Sequence, residues 1–299
     1  MVKDDLPTTH KAGFVNIIGK PNVGKSTLMN AFMGEKFSII TSKAQTTRHR
    51  ILGILNGDDF QVVLSDTPGI IKPHYGLQKS MMKFVHLALE DADVLVYLRD
   101  IKMGLTIDED IVNKLKSVDV PVFVVLNKID VADEASLKEQ IDYWQAQDFV
   151  AQVFPISALN NLGVEGLFEA ILKALPLSPP FYPKDQLTDR PERFFVEEII
   201  REKILLNYKQ EIPYSVEVVT ESFKEDEDII RISALLFVSR KSQKPILIGR
   251  NGSMLKKVGS EARKDLEVFF GKKIFLQTFV KVKENWRDND RLLKHFGYE

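Results

Sequence analysis

Hydrophobic residues over the first 175 positions recur in two alternating rhythms. Residues 14–18, 61–65, 93–98, 122–126 and 152–156 are short apolar runs of the kind that form buried strands. Residues 25–33, 77–91, 108–118, 134–147 and 164–175 carry apolar positions three and four apart, the spacing of one helix face. Residues 51–56 read as a further strand, joined to 61–65 through Asn56-Gly57-Asp58-Asp59, whose Asn-Gly step suits a tight hairpin. Strands separated by helical crossovers predict an α/β fold: a mostly parallel six-stranded sheet with helices on both faces.

The rhythm breaks at Leu177-Ser178-Pro179-Pro180, with Pro183 and Pro191 following. Prolines end helices and stiffen connectors, so residues 1–178 are expected to form one domain, 179–191 a linker and 192–299 a second domain. In the second, residues 194–208 have helical spacing and 215–223 and 229–238 read as strands, with Ile230, Ile232, Ala234, Leu236 and Val238 on one face. A short helix over 244–248 is interrupted by Gly249-Arg250-Asn251-Gly252 and resumes over 253–270; 273–282 is a last strand and a polar tail follows Trp286. The order α-β-β-α-α-β is that of a type II KH module, an α+β arrangement. No repeats or low-complexity tracts interrupt it.

Composition narrows the class. A chain of 299 residues with 44% hydrophobic and 28% charged residues suits two soluble globular domains. There is no cysteine, which excludes disulfides, thiolate metal sites and cysteine nucleophiles and suits a reducing cytoplasm. Residues 1–11 hold no signal-peptide core, and apolar runs such as 121–126 fall far short of the ~20 residues of a membrane span. The net charge of −1 hides an asymmetry: residues 1–180 hold 18 Lys and Arg against 22 Asp and Glu, whereas residues 240–299 hold 15 against 7. A basic C-terminal domain points to nucleic acid, although a lysine-rich solvated surface gives the same count.

Chemistry enters with Gly19-Lys20-Pro21-Asn22-Val23-Gly24-Lys25-Ser26, followed by Thr27, a P-loop pattern between an expected strand and an expected helix start. Its glycines let backbone N–H groups face phosphates at the positive end of the helix. Lys25 is expected on the β- and γ-phosphates and the Ser26 hydroxyl on Mg²⁺. Asn127-Lys128-Ile129-Asp130 follows a strand end. An Asp carboxylate only accepts hydrogen bonds, so Asp130 suits guanine, which offers N1–H and an amino group, and mismatches adenine. Asn127 should brace the loop, the Lys128 stem should lie along the base, and Ser157-Ala158-Leu159 sits where a third base-contacting loop belongs. Asp66-Thr67-Pro68-Gly69 ends the strand 61–65; Asp66 would reach Mg²⁺ through water and Gly69 would offer its N–H to the γ-phosphate. Between these motifs, Gln45-Thr46-Thr47-Arg48 supplies a threonine for the metal shell, Thr47 in preference to Thr46. Lys25, Thr47 and Gly69 are thus the expected catalytic set, and Ser26, Thr47 and Asp66 the metal set.

These five motifs resemble those of translation-factor-related GTPases. Ile70 follows Gly69 where the usual template has a water-orienting glutamine, so slow intrinsic turnover is expected. Relatives lacking that glutamine but carrying an asparagine at the position of Asn22 can use a potassium ion, and the resemblance allows K⁺ here. Downstream, Ile248-Gly249-Arg250-Asn251-Gly252 contains a G-x-x-G loop, which in KH modules clamps about four backbone nucleotides. Arg250, Lys256 and Lys257 add positive charge, and the bases would lie over an apolar groove between helix and strand.

Taken together with Arg201-Glu202-Lys203, Glu211-Ile212-Pro213-Tyr214-Ser215 and Val282-Lys283-Glu284-Asn285-Trp286-Arg287, these stretches resemble the Era-like family of GTPases that end in a KH domain. The resemblance implies GTP/GDP and Mg²⁺ as ligands. It also implies binding of single-stranded 16S ribosomal RNA near its 3′ end, action on the 30S subunit precursor, a cytoplasmic location and no DNA. A peripheral association with the cytoplasmic membrane is allowed. The family pattern is departed from at two places: Ala44 stands where proline is expected, and Arg250-Asn251 replaces Lys-Gly. Two other readings stay open on sequence: a membrane-surface GTPase with a lipid-binding basic domain, and an RNA-binding module whose GTP site is non-catalytic.

Overall fold

The computed structural model describes residues 9–34, 37–43 and 45–298. Ala44, one of the two departures, lies outside them, as do residues 1–8 of the N-terminal stretch. The chain resolves into two compact units. One comprises Met1–Ser38, Thr47–Lys72 and Met81–Asp189; the other comprises Ile39–Thr46, Pro73–Ser80 and Arg190–Glu299.

The first unit is built on six strands: β1 (Lys11–Ile18), β2 (Ile51–Asn56), β3 (Phe60–Asp66), β4 (Val94–Asp100), β5 (Val122–Asn127) and β6 (Gln152–Ile156). Their order is β2-β3-β1-β4-β5-β6, with only the β2–β3 hairpin antiparallel. Five helices accompany them: α1 (Lys25–Met33), α2 (Gly76–Glu90), α3 (Glu109–Lys116), α4 (Glu134–Gln145) and α5 (Val164–Ala174); the first turn of α2 falls in the second unit. β4 and β5 are buried almost throughout, as strands covered on both faces must be. Because β1, β3, β4, β5 and β6 run parallel, their C-terminal ends share one edge, and the loops leaving those ends converge there.

The proline-rich stretch is no free connector. Gln61 Oε1 accepts the N–H groups of Phe181 (2.7 Å) and Tyr182 (2.9 Å), the Ile54 N–H donates to Leu187 O (2.9 Å), and Thr188 Oγ1 donates to Leu52 O (2.8 Å). Residues 181–188 therefore cover the free edge of β2, which would otherwise present an unpaired row of backbone groups. Prolines suit this course because it demands few N–H donors.

In the second unit, β7 (Val216–Glu225), β8 (Ile229–Val238) and β9 (Lys273–Val282) form a sheet in the order β7-β8-β9, antiparallel then parallel. It packs with α6 (Glu192–Asn207), α8 (Gln243–Ile248) and α9 (Ser253–Phe270) around Val196, Ile200, Ile232, Leu236, Leu247 and Leu266. A one-turn helix, α7 (Ile212–Ser215), begins on Glu211-Ile212-Pro213, and proline is well tolerated in a first turn. The tail is more ordered than its polarity suggests. It folds into α10 (Asp290–His295), capped by Asn289, and buries Trp286, Leu293 and Tyr298. Trp286 Nε1 donates to Ser215 O at 3.0 Å and Tyr298 OH to Glu217 at 2.9 Å.

Candidate functional site

The nucleotide motifs meet at the converging edge of the first sheet. Gly19 to Gly24 leave β1 and enter α1, whose N-cap, Gly24, adopts φ 102° and makes no side-chain cap, so the first-turn N–H groups stay open. A Cβ on Gly24 would fall 2.3 Å from Asn127 Nδ2, and one on Gly69 would fall 2.7 Å from the backbone nitrogen of Pro21. Both glycines are thus required by close approach of neighbouring motifs.

Asn127 joins three of the loops. Its Nδ2 donates to Val23 O (2.8 Å) and its Oδ1 accepts from the Ala158 N–H (2.9 Å), the bracing role expected of it. Lys128 Nζ reaches Asn22 O (2.8 Å) and Asp100 Oδ2 (2.7 Å), which stretches its stem across the loop. Asp130 is exposed beyond it in a 3-10 turn, and Ser157 is buried at the end of β6. Val23 and Thr67 also have buried side chains, Thr67 Oγ1 donating to Ile17 O (2.7 Å), so only their backbones face a ligand. Pro68 is buried, the Ile70 N–H donates to Gly19 O at 3.0 Å, and Lys20, Pro21, Thr27 and Ile129 are half-buried around the loops.

Three oxygens cluster where the metal is expected. Ser26 Oγ donates to Asp66 Oδ2 (2.7 Å), Thr47 Oγ1 lies 3.2 Å from the same atom, and the two hydroxyls are 3.0 Å apart. The second carboxylate oxygen, Asp66 Oδ1, is buried without a hydrogen bond among the described residues. A buried, half-satisfied carboxylate flanked by two hydroxyls is a donor set that fits a hard divalent cation. Magnesium bound there supplies charge neutralisation at phosphate oxygens; Ser26, Thr47 and Asp66 are the residues that would hold it. Thr46 is directed elsewhere, its hydroxyl joined to Thr41 Oγ1 (2.7 Å) and Lys43 O (2.6 Å).

Electrostatics agree with an anion-binding pocket. Burial lowers the Lys25 ammonium to about 8, partly offset by the nearby Asp66 charge. The same burial raises Asp66, opposed by Lys25 and by the Ser26 and Thr47 hydroxyls. Lys25 Nζ meanwhile hydrogen-bonds the carbonyls of Lys20 (3.0 Å) and Gly19 (3.3 Å), within reach of the loop that would hold phosphates.

Sequence reasoning missed two supports. Asp100, at the end of β4, anchors Lys128, and Asp108 pairs with Lys20 at 3.4 Å. An acidic residue at the C-terminal end of a central parallel strand was the available signal.

In the second unit, Gly249 (φ 74°), Asn251 (φ 52°) and Gly252 (φ 75°) turn the chain between α8 and α9. Nothing lies within 4 Å of the position a Gly252 Cβ would take, so this face of the loop is open. Arg250, Asn251, Lys256 and Lys257 are exposed and Ile248 half-buried beside it. A cavity of about 570 Å³ adjoins the loop, its walls including Ile248 and Leu255 from the helices and Thr278 and Val280 from β9.

Residues 14–128 match the family described as 50S ribosome-binding GTPase, and residues 211–287 match the KH domain family. The chain is 46% identical over 293 residues to GTPase Era of Thermoanaerobacter sp. (strain X514), covering 97% of each chain. It is 43% identical to GTPase Era of Staphylococcus epidermidis, covering 97% of this chain and 98% of that one. A crystal structure of Era in complex with MgGDPNP and nucleotides 1506–1542 of 16S ribosomal RNA superposes with a TM-score of 0.91 at 38% identity, covering 97% of this chain and 99% of the other. A variant of Aquifex aeolicus Era bound to GDP·AlF4⁻ gives 0.92 at 38% identity over 96% and 99%.

Proposed function

The chain belongs to the Era family of GTPases, and from that premise we propose that it is a GTP-controlled RNA-binding switch of small-subunit assembly. Residues 1–178 bind GTP with Mg²⁺ and hydrolyse it slowly, 192–299 bind single-stranded 16S ribosomal RNA near its 3′ end, and 179–191 join them. The observation that carries this reading is the presence, in one chain, of a glycine-rich phosphate loop beside three metal-donor oxygens, and of an open basic G-x-x-G loop beside an apolar cavity. A similar structure holds both MgGDPNP and a 16S RNA segment, which supports the pairing of ligands.

Lys25 neutralises the β- and γ-phosphates, Ser26, Thr47 and Asp66 hold the metal, and the Gly69 N–H meets the γ-phosphate. Asn127, Lys128, Asp130, Ser157 and Ala158 select guanine. Gly249–Gly252, with Arg250, Lys256 and Lys257, grip the RNA backbone. With Asn22 in the P-loop and Ile70 in place of a glutamine, a potassium ion would supply extra positive charge during hydrolysis, as the family resemblance allows. The 30S precursor is the physiological substrate of the switch, and the protein acts in the cytoplasm. Among the described residues no helix is long and apolar enough to cross a membrane.

The test is GTP turnover with magnesium and potassium, with and without a short strand matching the 3′ end of 16S ribosomal RNA. Stimulation that vanishes in Gly252→Asp, with GTP affinity kept, is expected. The aspartate sets a side chain at a positive φ and a negative charge where phosphate passes. RNA binding no stronger than heparin binding, together with tight binding to anionic vesicles, would instead favour a membrane-surface GTPase.

A further inference from the structure

An asparagine followed by glycine is prone to losing its side-chain amide, because glycine has no Cβ to shield its backbone nitrogen from the asparagine Cγ. The chain holds two such steps, Asn56-Gly57 and Asn251-Gly252. The fold treats them in opposite ways. Asn56 ends β2 and is half-buried; its Oδ1 accepts from Gln61 Nε2 at 2.8 Å, and its Nδ2 lies 3.5 Å from Gln186 O. A Cβ on Gly57 would fall 2.2 Å from the Phe60 ring. The amide is held there, and the nitrogen that would attack it is enclosed.

Asn251 is exposed, and its side-chain amide has no hydrogen-bond partner among the described residues. Nothing lies within 4 Å of the place a Gly252 Cβ would take, so the chain has room to turn there. The Gly252 N–H donates to Gly249 O at 3.1 Å, and opening an exposed bond of this kind slows attack by about fivefold. Gly252 is also the N-cap of α9, and the exposed Arg250 stands two positions before it. The positive end of that helix and the guanidinium both favour a nitrogen anion and a carboxylate at this point.

We propose that Asn251 is a site of spontaneous amide loss that retires the RNA-binding loop. Gly252 N gives its proton to solvent base and attacks Asn251 Cγ. The N–Cγ bond forms, the Cγ–Nδ2 bond breaks, and Nδ2 takes a proton from water and leaves as ammonia. Water then opens the cyclic imide. Attack at Cγ restores the main chain and leaves aspartate; attack at the main-chain carbonyl carbon leaves isoaspartate, whose backbone runs through Cγ. Nothing is oxidised or reduced. Either product sets a carboxylate between Arg250 and Gly252, where phosphates would pass, and isoaspartate also lengthens the main chain by a methylene. The amide loss stands on the local geometry alone; its consequence rests on the RNA-binding reading above.

The experiment incubates the full chain at neutral and at mildly alkaline pH and follows both Asn-Gly steps by peptide mapping with mass spectrometry. Methyl transfer by an isoaspartyl methyltransferase counts the isoaspartate. Asn251 is expected to convert at least about tenfold faster than Asn56, because the hydrogen bonds holding Asn56 must also open. Equal conversion at the two steps would overturn the site, as would none at Asn251 while a free peptide of residues 248–256 converts. Affinity for a short strand matching the 3′ end of 16S ribosomal RNA should fall at least about tenfold in the converted protein. Asn251→Gln, which would have to close a larger ring, should keep its own starting affinity through the same incubation. Undiminished affinity in converted wild type, or an equal loss in Asn251→Gln, would overturn the retirement of the loop. If fresh wild type binds the strand no better than heparin, the RNA-binding reading falls and takes the consequence with it, while mass still decides the amide loss.

Discussion

Lys25 and Asp66 are opposite charges withdrawn from water into one pocket, and burial penalises each by more than their attraction offsets. A bound nucleotide and metal relieve both penalties at once, since phosphate favours the ammonium and the cation favours the carboxylate. The adjacent threonines show how finely position decides role. Only the Thr47 hydroxyl lies with Ser26 and Asp66, whereas that of Thr46 is directed to Thr41 and Lys43. Thr47→Ala should therefore weaken magnesium-dependent binding of a non-hydrolysable GTP analogue about tenfold, and Thr46→Ala should not. Labelled-nucleotide titrations across a magnesium series read this directly, and equal effects would remove Thr47 from the metal shell. Asp130 offers a second single-residue test. Its exposed carboxylate can pair with guanine's donors, so Asp130→Asn should shift preference from GTP toward XTP by at least about tenfold, seen as the ratio of the two dissociation constants.

At the scale of elements, α6 shows charge placed where periodicity suggests a wet face. Glu198, Arg201, Glu202 and Lys203 are all buried, with Arg201 paired to Glu198 and Lys203 to Glu202 and Asp265. Glu197, on the same helix, is raised to about 7, chiefly by burial and further by Glu217 and Glu198, while the Thr220 N–H at 2.7 Å works the other way. A carboxyl raised from 4.5 on folding contributes stability that is full below pH 4.5 and is lost as pH rises through 7. Glu197→Gln keeps an acceptor for Thr220 without the charge. It should stabilise the second unit by roughly 3 kcal/mol at pH 8 and by no more than a few tenths at pH 4.5. Denaturant unfolding at the two pH values tests it, and a gain independent of pH would assign the effect to something other than titration.

For the molecule as a whole, two segments that lie in sequence among the nucleotide motifs, 39–46 and 73–80, belong to the second unit. There the Lys43 ammonium donates to the carbonyls of Leu205 and Tyr208 at the end of α6, and Arg201 Nη1 donates to Thr46 O at 2.6 Å. Asp288 Oδ1 accepts from the Gly76 N–H at 2.8 Å, and the Arg287 guanidinium lies 4.7 Å from the Tyr75 ring centroid. Thr46 thus falls in the second unit, while its neighbour Thr47 falls in the first, beside Ser26 and Asp66. If binding of one ligand moves this peptide, nucleotide and RNA will change each other's affinity by the same factor, which titrating each in the presence of the other would read. Potassium is expected to act on the same cycle: turnover in KCl should exceed that in NaCl by about tenfold, and equal rates would discard the ion.

The chemistry of the nucleotide site was legible because its motifs are contiguous. A P-loop needs its glycines and lysine at fixed spacing on one stretch of chain, and Gly19–Ser26 displays them without help from the fold. Strands and helices were legible for a similar reason, since 2.0 and 3.6 residue periods are local, and α1 and β8 begin and end where the pattern places them. What the linear pattern could not carry were partners distant in sequence. Whether residues 181–188 bridge two domains or seal the edge of β2 depends on Gln61, about 120 positions away. The polar tail conceals a capped helix because Trp286 and Tyr298 find Ser215 and Glu217 only after folding. The charges of α6 became buried pairs for the same physical reason. Composition gives a side chain its chemistry, but burial and charged neighbours depend on which strands and helices pack together.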